Sequence, residues 1–326
     1  MGSLKQAQTV QADSGSAATN VEEAQVAGMV SSVRRLAIHD GPGIRTIIFL
    51  KGCPLCCLWC AAPETQSSDR EVVFSPERCL ACDRCRAVCP VAAIRVDADG
   101  RRSLDRAVCT LCGACVEACY TEALTISGER RTVAEVVAKC VRDRVFYEHS
   151  GGGVTLSGGE PLAQPAFTAA LLRALKGAGL HTAMETSGFA PWEVLDRTLV
   201  DLDLLLYDFK ILDLEAHRRW TGVPNEPILA NLQRVIARGF PTIIRVPVIA
   251  GLTDGIVHIR ALGRFLADTG PVQRVDLLPY HRLGEGMYPR LGRAYGLRDV
   301  PLVPEDTLNA LAMDLRTHGF AVQIGG

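Results

Sequence analysis

The sequence has no excess of charge of either sign and no long apolar run. Its 326 residues include 35 Lys and Arg against 36 Asp and Glu, which gives a formal net charge of −1. A nearly neutral chain has no electrostatic reason to bind nucleic acid or an anionic membrane. Arg245 interrupts the best apolar run before it reaches the roughly 18 residues that a membrane span requires. We therefore expect neither nucleic acid nor a membrane as a partner.

The first 28 residues lack the apolar core of a secretory signal and are rich in Ser, Ala, Gln and Thr. This composition predicts a disordered tail over residues 1–28 and a cytoplasmic protein. A docking peptide is the alternative, with one short helix over the stretch NVEEAQVAGMVSSV.

Cysteine is scarce outside one region. Of the 13 cysteines, 12 lie between Cys53 and Cys119, and Cys140 stands alone. A disulfide framework spreads its bridges across a small secreted domain, whereas clustered thiols in a reducing compartment indicate metal binding. Cys140 falls on the apolar face of a predicted helix together with Val133 and Val136. We expect it to be a buried core thiol without a redox role.

Beyond residue 130 the chain alternates between helical and strand patterns. Helical segments separate five short apolar runs, which are GVTLSGG, HTAMETSG, LDLLLYDFK, TIIRVPVIAG and VQRVDLLPYH. β–α alternation at this spacing predicts a parallel sheet that closes fully or partly into a (β/α) barrel. A doubly wound open sheet is the alternative fold.

Two cysteine runs repeat the same spacing, about thirty residues apart along the chain. The first has the form C-x2-C-x2-C-x3-C-P, and the second differs only in having Tyr120 at the final position. This is the bacterial ferredoxin pattern for two [4Fe–4S] clusters, in which the fourth cysteine of each run binds the other cluster. The predicted ligand sets are Cys79, Cys82, Cys85 and Cys119 for one cluster, and Cys109, Cys112, Cys115 and Cys89 for the second. A pair of zinc knuckles is the alternative.

A third metal site must account for Cys53, Cys56, Cys57 and Cys60. Successive side chains in an extended loop point apart, so the adjacent Cys56 and Cys57 do not easily face one cluster. Without Cys56 the spacing becomes C-x3-C-x2-C, and three thiolates then serve four irons. The open iron is what distinguishes a catalytic metal centre from a structural one.

The spacing C-x3-C-x2-C, with Trp59 before the last cysteine, resembles the radical S-adenosylmethionine (SAM) superfamily. The motif DGPGIR over Asp40–Arg45 narrows the resemblance to the activating enzymes of glycyl radical enzymes. The ferredoxin-type insertion is similar to that of the activases of dehydratases, decarboxylases, lyases and succinate-adding enzymes. The resemblance covers about residues 30–326. Its implied fold is a partial (β/α) TIM-like barrel over residues 29–74 and 126–326, with an α+β ferredoxin-like domain inserted at 75–125.

The resemblance also implies an oxidoreductase activity and its cofactors. SAM would bind the open iron of one [4Fe–4S] cluster, and the two ferredoxin-type clusters would relay electrons from reduced flavodoxin or ferredoxin. One electron would cleave the sulfonium C–S bond to give methionine and a 5′-deoxyadenosyl radical. That radical would remove a hydrogen from a backbone glycine of a glycyl radical enzyme, and the protein would hold the cofactor and exclude water.

The residues that follow each predicted strand are the candidates for the rest of the site, because barrel enzymes carry their functional groups there. The resemblance assigns Gly158, Gly159 and Glu160 to the SAM amino group, Glu185, Thr186 and Asp208 to its carboxylate and optionally a monovalent cation, Lys210 and Trp59 to the cofactor, and His281 to the ribose or adenine. Arg245, inside an apolar strand, needs an anionic partner, for which the SAM carboxylate is the natural candidate. A simple ion pair is the alternative for Asp208 and Lys210.

The loop of Asp40, Gly41, Pro42 and Gly43 is the candidate surface for the partner protein, because its small residues would let a peptide lie close. A tight turn that only introduces the following strand is the alternative. The pair Ala61 and Ala62 departs from the polar residue and Asn that are usual in the family, and we expect this variation to be tolerated.

Two other functions compete with the activase. An electron-transfer protein would use only the eight-cysteine repeat and would leave the DGPGIR motif and the strand ends without a role. A radical SAM enzyme for a small molecule would be expected to carry an extra substrate domain. Cleavage of SAM by the reduced protein separates the first of these from the activase.

Overall fold

The computed structural model describes residues 23–325. Most of the predicted tail, residues 1–22, therefore lies outside the described residues. The rest of that prediction is wrong, because a strand begins at Ala27. Residues Ala27–Val30 pair antiparallel with Glu129–Thr132, and Val30 is buried in the main core. The same pairing replaces the short helix that was the alternative for this stretch.

Within residues 23–325, nine of thirteen strands form one large sheet and four form two small ones. The strands are β1 (Ala27–Ala37), β2 (Arg45–Leu50), β3 (Glu71–Phe74), β4 (Ile94–Val96), β5 (Arg102–Leu104), β6 (Leu124–Ser127), β7 (Glu129–Thr132), β8 (Gly153–Gly158), β9 (Thr182–Thr186), β10 (Leu204–Asp208), β11 (Thr242–Val248), β12 (Arg274–Pro279) and β13 (Val322–Ile324).

The large sheet has the order β13-β12-β11-β10-β9-β8-β2-β1-β7. From β2 through β8 to β13 neighbouring strands are parallel and follow one another in sequence, whereas β1 is antiparallel to β2 and β7. A doubly wound sheet would reverse its strand order at the middle. The predicted partial barrel is confirmed, with its open side between the edge strands β13 and β7 of the described chain.

Helices follow most strands and cover the outer face of the sheet. They are α1 (Arg84–Ala87), α2 (Ala114–Glu117), α3 (Val133–Cys140), α4 (Arg144–Ser150), α5 (Pro165–Gly177), α6 (Trp192–Leu199), α7 (Leu214–Thr221), α8 (Glu226–Ala237), α9 (Ile256–Thr269), α10 (Met287–Arg290) and α11 (Glu305–Thr317). None of the helices that the structure describes has the length and apolar character needed to cross a membrane.

Local sequence explains how the helices begin and what they bury. A capping box starts α3, in which the Thr132 hydroxyl accepts a hydrogen bond from Glu135 N and the Glu135 carboxylate accepts one from Thr132 N. Leu171 and Leu172 of α5 are fully buried in the main core. Cys140 is fully buried in the same core, which confirms its prediction as a core thiol.

The ferredoxin-like repeat lies between two strands that pair with each other. β3 pairs antiparallel with β6, and the β4–β5 hairpin and the short helices α1 and α2 lie between them in the chain. A small apolar cluster that includes Val72, Ile94, Cys115 and Leu124 forms the interior of this segment. The repeat is thus attached to the barrel through a two-stranded stem.

Gly188, in the loop after β9, packs closely against the core. Its φ is +73°, and a Cβ there would lie 1.8 Å from the Tyr207 hydroxyl, which donates a hydrogen bond to Ile228 O at 2.6 Å. We expect Gly188→Ala to lower the thermal midpoint of the reconstituted protein by roughly 4 °C or more, because overpacking and a left-handed backbone both oppose it. Gly177→Ala in α5 is the matched control, since its Cβ meets nothing within 4 Å. Equal thermal midpoints of the two variants would show that the space beside Tyr207 does not restrict this loop.

Candidate functional site for iron–sulfur clusters and SAM

The predicted site residues meet at one edge of the sheet, where the parallel strands end. β2 runs into the Cys53–Cys60 loop, β8 ends at Gly158 beside Glu160, β9 ends at Thr186 and β10 ends at Asp208. The registers of the parallel pairs keep these ends level with one another. The structure therefore brings together the groups that the strand ends predicted.

Three thiols of the cysteine loop lie near one another and away from solvent. Cys57 is buried, and Cys53 and Cys60 are half-buried, in a cluster with Leu55 and Phe189. Burial raises the pKa of the Cys60 thiol to about 12, and the neighbouring Cys57 adds to the rise. Burial also raises the pKa of Cys53 and of Cys57. Buried thiolates that repel one another require a cationic centre, and an iron–sulfur cluster supplies one, so this set fits such a cluster.

Cys56 differs from the other three thiols of the loop in its exposure to solvent. It is exposed, and its backbone N–H donates to Thr221 O at 2.7 Å. Its Cβ lies beside Gly222, where an added methyl group would be 3.6 Å away. The hydrogen bond from Leu58 N to Trp220 O, at 3.2 Å, continues this contact with the end of α7. The backbone thus holds the loop so that Cys56 faces outward.

Lys210 places a cation next to the cysteine loop. Its Nζ lies 3.1 Å from Asp208 Oδ2, and both side chains are largely buried. Burial lowers the pKa of Lys210, but the charges of Asp208 and of the thiols Cys57 and Cys53 outweigh this and raise the pKa above its usual range. The ion pair that was the alternative for Asp208 and Lys210 is present. It lies next to the thiols of the candidate cluster site.

Glu160 is fully committed to protein partners. Its buried carboxylate accepts hydrogen bonds from Thr186 Oγ1 at 2.7 Å, Ser187 N at 2.9 Å and Ser187 Oγ at 2.6 Å. Gly159 beside it has no room for a side chain, since a Cβ would lie 2.3 Å from Gly52 O. The Gly-Gly-Glu run therefore brings the backbone of β8 against the cysteine loop and fixes the turn after β9. The sequence did not indicate Ser187.

Arg245 already has anionic partners within the protein. Its Nη1 lies 3.1 Å from Glu185 Oε1 and 3.1 Å from Asp40 Oδ1. Burial disfavours the Glu185 carboxylate, but Arg245, the Ser157 hydroxyl and Lys210 together hold its pKa below the usual range. The need for an anion that the sequence indicated is thus met without a ligand. Arg245 Nε remains buried without a hydrogen-bond partner among the described residues.

The Asp40–Gly43 loop connects β1 to β2 and meets Arg245, which lies level with Asp208 at the carboxyl end of β10. Thr155 Oγ1 donates to Asp40 O at 2.7 Å, while the Asp40 carboxylate reaches Arg245. The glycines have φ values of +114° at Gly41 and +69° at Gly43, and a Cβ on Gly43 would lie 2.5 Å from Ser150 O. The loop is a tight turn that carries one carboxylate into the barrel.

His281 and Trp59 differ in their surroundings. His281 is exposed, and its Nδ1 accepts a hydrogen bond from Leu283 N at 3.3 Å. Trp59 packs on a buried aromatic cluster that the sequence did not indicate, which contains Tyr280, Tyr288 and Tyr295. In that cluster Tyr288 donates to Cys60 O at 3.2 Å and the Tyr280 and Tyr295 hydroxyls lie 2.7 Å apart. The chain after β12 therefore supports the cysteine loop through aromatic side chains.

A buried lysine connects the cysteine loop with the inserted segment. Lys51, directly after β2, is fully buried and donates to Glu64 O at 2.7 Å and to Glu71 Oε2 at 3.1 Å. Arg293 pairs with Glu71 from the other side and donates to Pro63 O at 2.8 Å. Sequence reasoning missed these residues, although a lysine directly after a buried strand was a signal.

The ferredoxin-type cysteines line two separate cavities. The first cavity is lined by Cys79, Cys82, Cys85 and Cys119 among apolar side chains. The second is lined by Cys89, Cys109, Cys112 and Cys115. Each set takes its fourth cysteine from the other run, as the spacing predicted. Ala81 and Leu111, at equivalent places in the two loops, share left-handed φ values of 56° and 55°.

The spacing of the thiols differs from that of a site for one ion. Within residues 23–325 no three His, Cys, Asp or Glu side chains come close enough together to hold a single metal ion. The thiolates of a four-iron cluster bind different irons and therefore stand farther apart than the ligands of one zinc ion. The two cysteine sets fit clusters better than zinc knuckles.

Comparisons with known proteins agree with this arrangement. The radical SAM superfamily model matches residues 114–262, a 4Fe-4S dicluster domain matches residues 71–120, and a 4Fe-4S single cluster domain matches residues 39–84. Among solved structures, a radical SAM methyltransferase from Sphaerobacter thermophilus has a TM-score of 0.52 at 16% identity and covers 90% of this chain and 76% of its own. That likeness concerns the fold alone.

Two curated relatives are similar to this chain along nearly their whole length. An isethionate sulfite-lyase activating enzyme from Oleidesulfovibrio alaskensis is 44% identical over 300 residues, covering 90% of this chain and 96% of the relative. A benzylsuccinate synthase activating enzyme from Thauera aromatica is 43% identical over 306 residues, covering 91% and 92%.

The exposure of Cys56 leads to a prediction about iron content. We expect Cys56→Ser to keep about twelve iron atoms per reconstituted chain, because the other three thiols form the buried set. Cys57→Ser, the matched change at the adjacent residue, should lower the content to about eight. Anaerobic iron analysis and EPR spectra with and without SAM provide the measurement. Loss of a cluster on Cys56→Ser would show that the assignment of the loop is wrong.

Proposed function

Because the chain belongs to the radical SAM activating enzymes of glycyl radical enzymes, we propose how its own residues divide the work of that reaction. The protein carries three [4Fe–4S] clusters and uses SAM. These groups supply the one-electron cleavage of the sulfonium C–S bond and the adenosyl radical that takes a hydrogen atom from a glycine of the partner enzyme. The relatives serve different glycyl radical enzymes at nearly equal identity, so we propose the partner as a class.

The convergence of Cys53, Cys57 and Cys60 at the carboxyl edge is the observation that carries this proposal. We assign these three thiols to the SAM-binding cluster and leave Cys56 free. Lys210 stands next to them and offsets the negative charge of the thiolates and of Asp208. The cysteines that line the two cavities of the insert are assigned to its two clusters.

The SAM carboxylate and amino group fall to the residues on β8, β9 and β11. The unpartnered Nε of Arg245 leaves one buried donor for a ligand carboxylate. The backbone at Gly158 and Gly159 is bare of side chains and suits the amino group. Since the Glu160 carboxylate is already satisfied, we assign it to fixing Thr186 and Ser187.

The charged side chains inside the barrel carry one unbalanced negative charge, which a monovalent cation would neutralise. Three carboxylates, Asp40, Glu185 and Asp208, face two cations, Lys210 and Arg245, which leaves one negative charge. Burial raises the pKa of Asp40 and of Asp208, and the nearby Glu185 adds to both shifts. A bound cation would relieve this repulsion. Trp59 and His281, at the same carboxyl edge, are assigned to the adenosine side.

The organisation of the chain and the state of its cysteines support the remaining assignments. We propose that residues 29–74 and 126–326 act as the barrel and 75–125 as the electron-relaying insert. Reduced flavodoxin or ferredoxin would supply the electrons. None of the 13 cysteines forms a disulfide, and cluster ligands require reduced thiols, which supports a cytoplasmic location.

The function is tested with the reduced, reconstituted protein under anaerobic conditions. Incubation with SAM should yield methionine and 5′-deoxyadenosine, and addition of a glycyl radical enzyme should produce its organic radical EPR signal. Absence of SAM cleavage would favour the electron-transfer alternative. Cleavage that transfers hydrogen from a small molecule, with no radical on any such enzyme, would favour the small-molecule alternative.

We propose that the Asp40–Gly43 loop holds the glycine-bearing segment of the partner. Asp40 has one carboxylate oxygen on Arg245, and its second oxygen is an acceptor for backbone amides of a peptide. Gly41 and Pro42 present little side chain, so a peptide would be able to lie against them. The alternative of a plain turn assigns Asp40 only to Arg245.

Asp40→Ala separates these two roles. If Asp40 grips the peptide, uncoupled 5′-deoxyadenosine formation should stay within about twofold, because Glu185 still holds Arg245, while radical formation on the partner falls about tenfold or more. Deoxyadenosine yield and the EPR signal are measured in the same samples. Asp254→Ala, on an exposed loop after β11, is the control. Equal losses of both readouts would assign the loop to the cofactor or the fold.

A further inference from the structure

The two cysteine runs provide an internal comparison of the surfaces around their cavities. Residues of the first run correspond to residues thirty positions later in the second. Their ligands match, but the residues between them do not. The first run has Arg78, Leu80, Arg84 and Arg86 where the second has Val108, Thr110, Ala114 and Val116. The first run is therefore the basic one.

The second cavity lies on the side of the insert that is attached to the barrel. Arg106, three residues before Cys109, donates to Val72 O at 2.8 Å and to Arg290 O of α10 at 3.0 Å. Val72 itself lines the second cavity. The preceding Glu71 is bound to Lys51 and Arg293, so the second cavity adjoins the contacts that hold the cysteine loop.

The first cavity opens toward a different surface. Phe74, at the far end of β3 from Glu71, lines it, and so does Leu80, whose side chain is 70% exposed. Glu77 and Arg290 form one ion pair between this run and the barrel, at the protein surface. Tyr120 is also largely exposed, and Arg84 stacks over its ring at 4.2 Å. An exposed leucine and an exposed aromatic ring beside a cluster cavity indicate a surface that contacts another molecule.

The side chains around Leu80 carry a net positive charge, although the whole chain is nearly neutral. Arg102 and Arg86 share the carboxylate of Asp83, at 2.9 and 3.4 Å, and Arg78 pairs loosely with Glu122 at 3.7 Å. With Arg84, four guanidinium groups face two carboxylates, an excess of two positive charges, whereas the whole chain has a net charge of −1. A partner with an acidic rim around an apolar centre would complement this face.

We propose that the face formed by Arg78, Leu80, Arg84, Arg86 and Tyr120 is the docking site of a small acidic electron-transfer protein. This rests on the proposed function, in which such a carrier gives up one electron and is itself oxidised by one. Leu80 of this face lines the first cavity, so a carrier bound here is close to the cysteine set farther from the barrel contacts. Repeated one-electron delivery requires a weak and transient complex, and a small patch with few apolar residues suits one.

Binding is measured with the reconstituted holoenzyme and an oxidised flavodoxin of acidic surface, by titration calorimetry at low and high salt. Leu80→Glu and Arg78→Glu should each raise the Kd at least about tenfold, because they place a negative charge in the face. Thr110→Glu is the matched control at the equivalent exposed position of the second run, and should change the Kd by less than about twofold. The Kd of the unaltered protein should rise with salt.

Iron content and SAM cleavage driven by titanium(III) citrate check that each variant is loaded and competent. Both should be unchanged in Arg78→Glu, whose side chain is exposed and does not line the cavity, since a small reductant needs no docking face. The proposal would be overturned if Leu80→Glu and Thr110→Glu changed the Kd for flavodoxin equally, or if neither changed it. It would also be overturned if Leu80→Glu abolished binding of the glycyl radical enzyme and left flavodoxin binding unchanged. Failure of SAM cleavage with titanium(III) citrate in the unaltered protein would count against the proposed function, while the Kd comparison would still decide the docking face.

Discussion

The ammonium group of Lys51 is a buried charge on which three parts of the structure depend. Burial lowers its pKa, and the carboxylate of Glu71 acts in the opposite direction. Removing one partner of a buried ion pair typically costs about 3–5 kcal/mol, because the remaining charge is left without compensation. Glu71 begins the stem of the insert, and Glu64 follows the cysteine loop. The insert, the cysteine loop and strand β2 therefore meet at this one side chain.

A second constraint acts inside the barrel, where carboxylates outnumber cations. Arg245 bridges Glu185 of β9 and Asp40 of the β1–β2 loop, whereas Lys210 pairs with Asp208 at the end of its own strand. The loop between β1 and β2 is thereby tied electrostatically to β11, four places away in the sheet order from β2. If Asp40 is drawn away, Glu185 remains as the carboxylate partner of Arg245.

Short-range patterns were enough to predict the parts of the molecule that depend on spacing. Two runs with fixed intervals gave the two four-cysteine sets, and apolar runs ending in polar residues gave the strand ends of the barrel. Strand β1 was missed because its residues read as a weak helix, and only pairing with β2 and β7 makes it a strand. Arg293 joins Glu71 across more than two hundred positions, and Tyr288 reaches Cys60 across a similar interval. No local pattern encodes such contacts.

The exchange of the fourth cysteine between the two runs has a consequence for how the insert matures. With the proposed ligands, each cavity draws on both halves of the repeat, so neither half is a complete unit for metal loading. Filling one cavity pins a residue next to the other, which makes the second loading easier, and losing one cluster frees a residue that borders its neighbour. We therefore expect the two cavities of the insert to load with metal cooperatively.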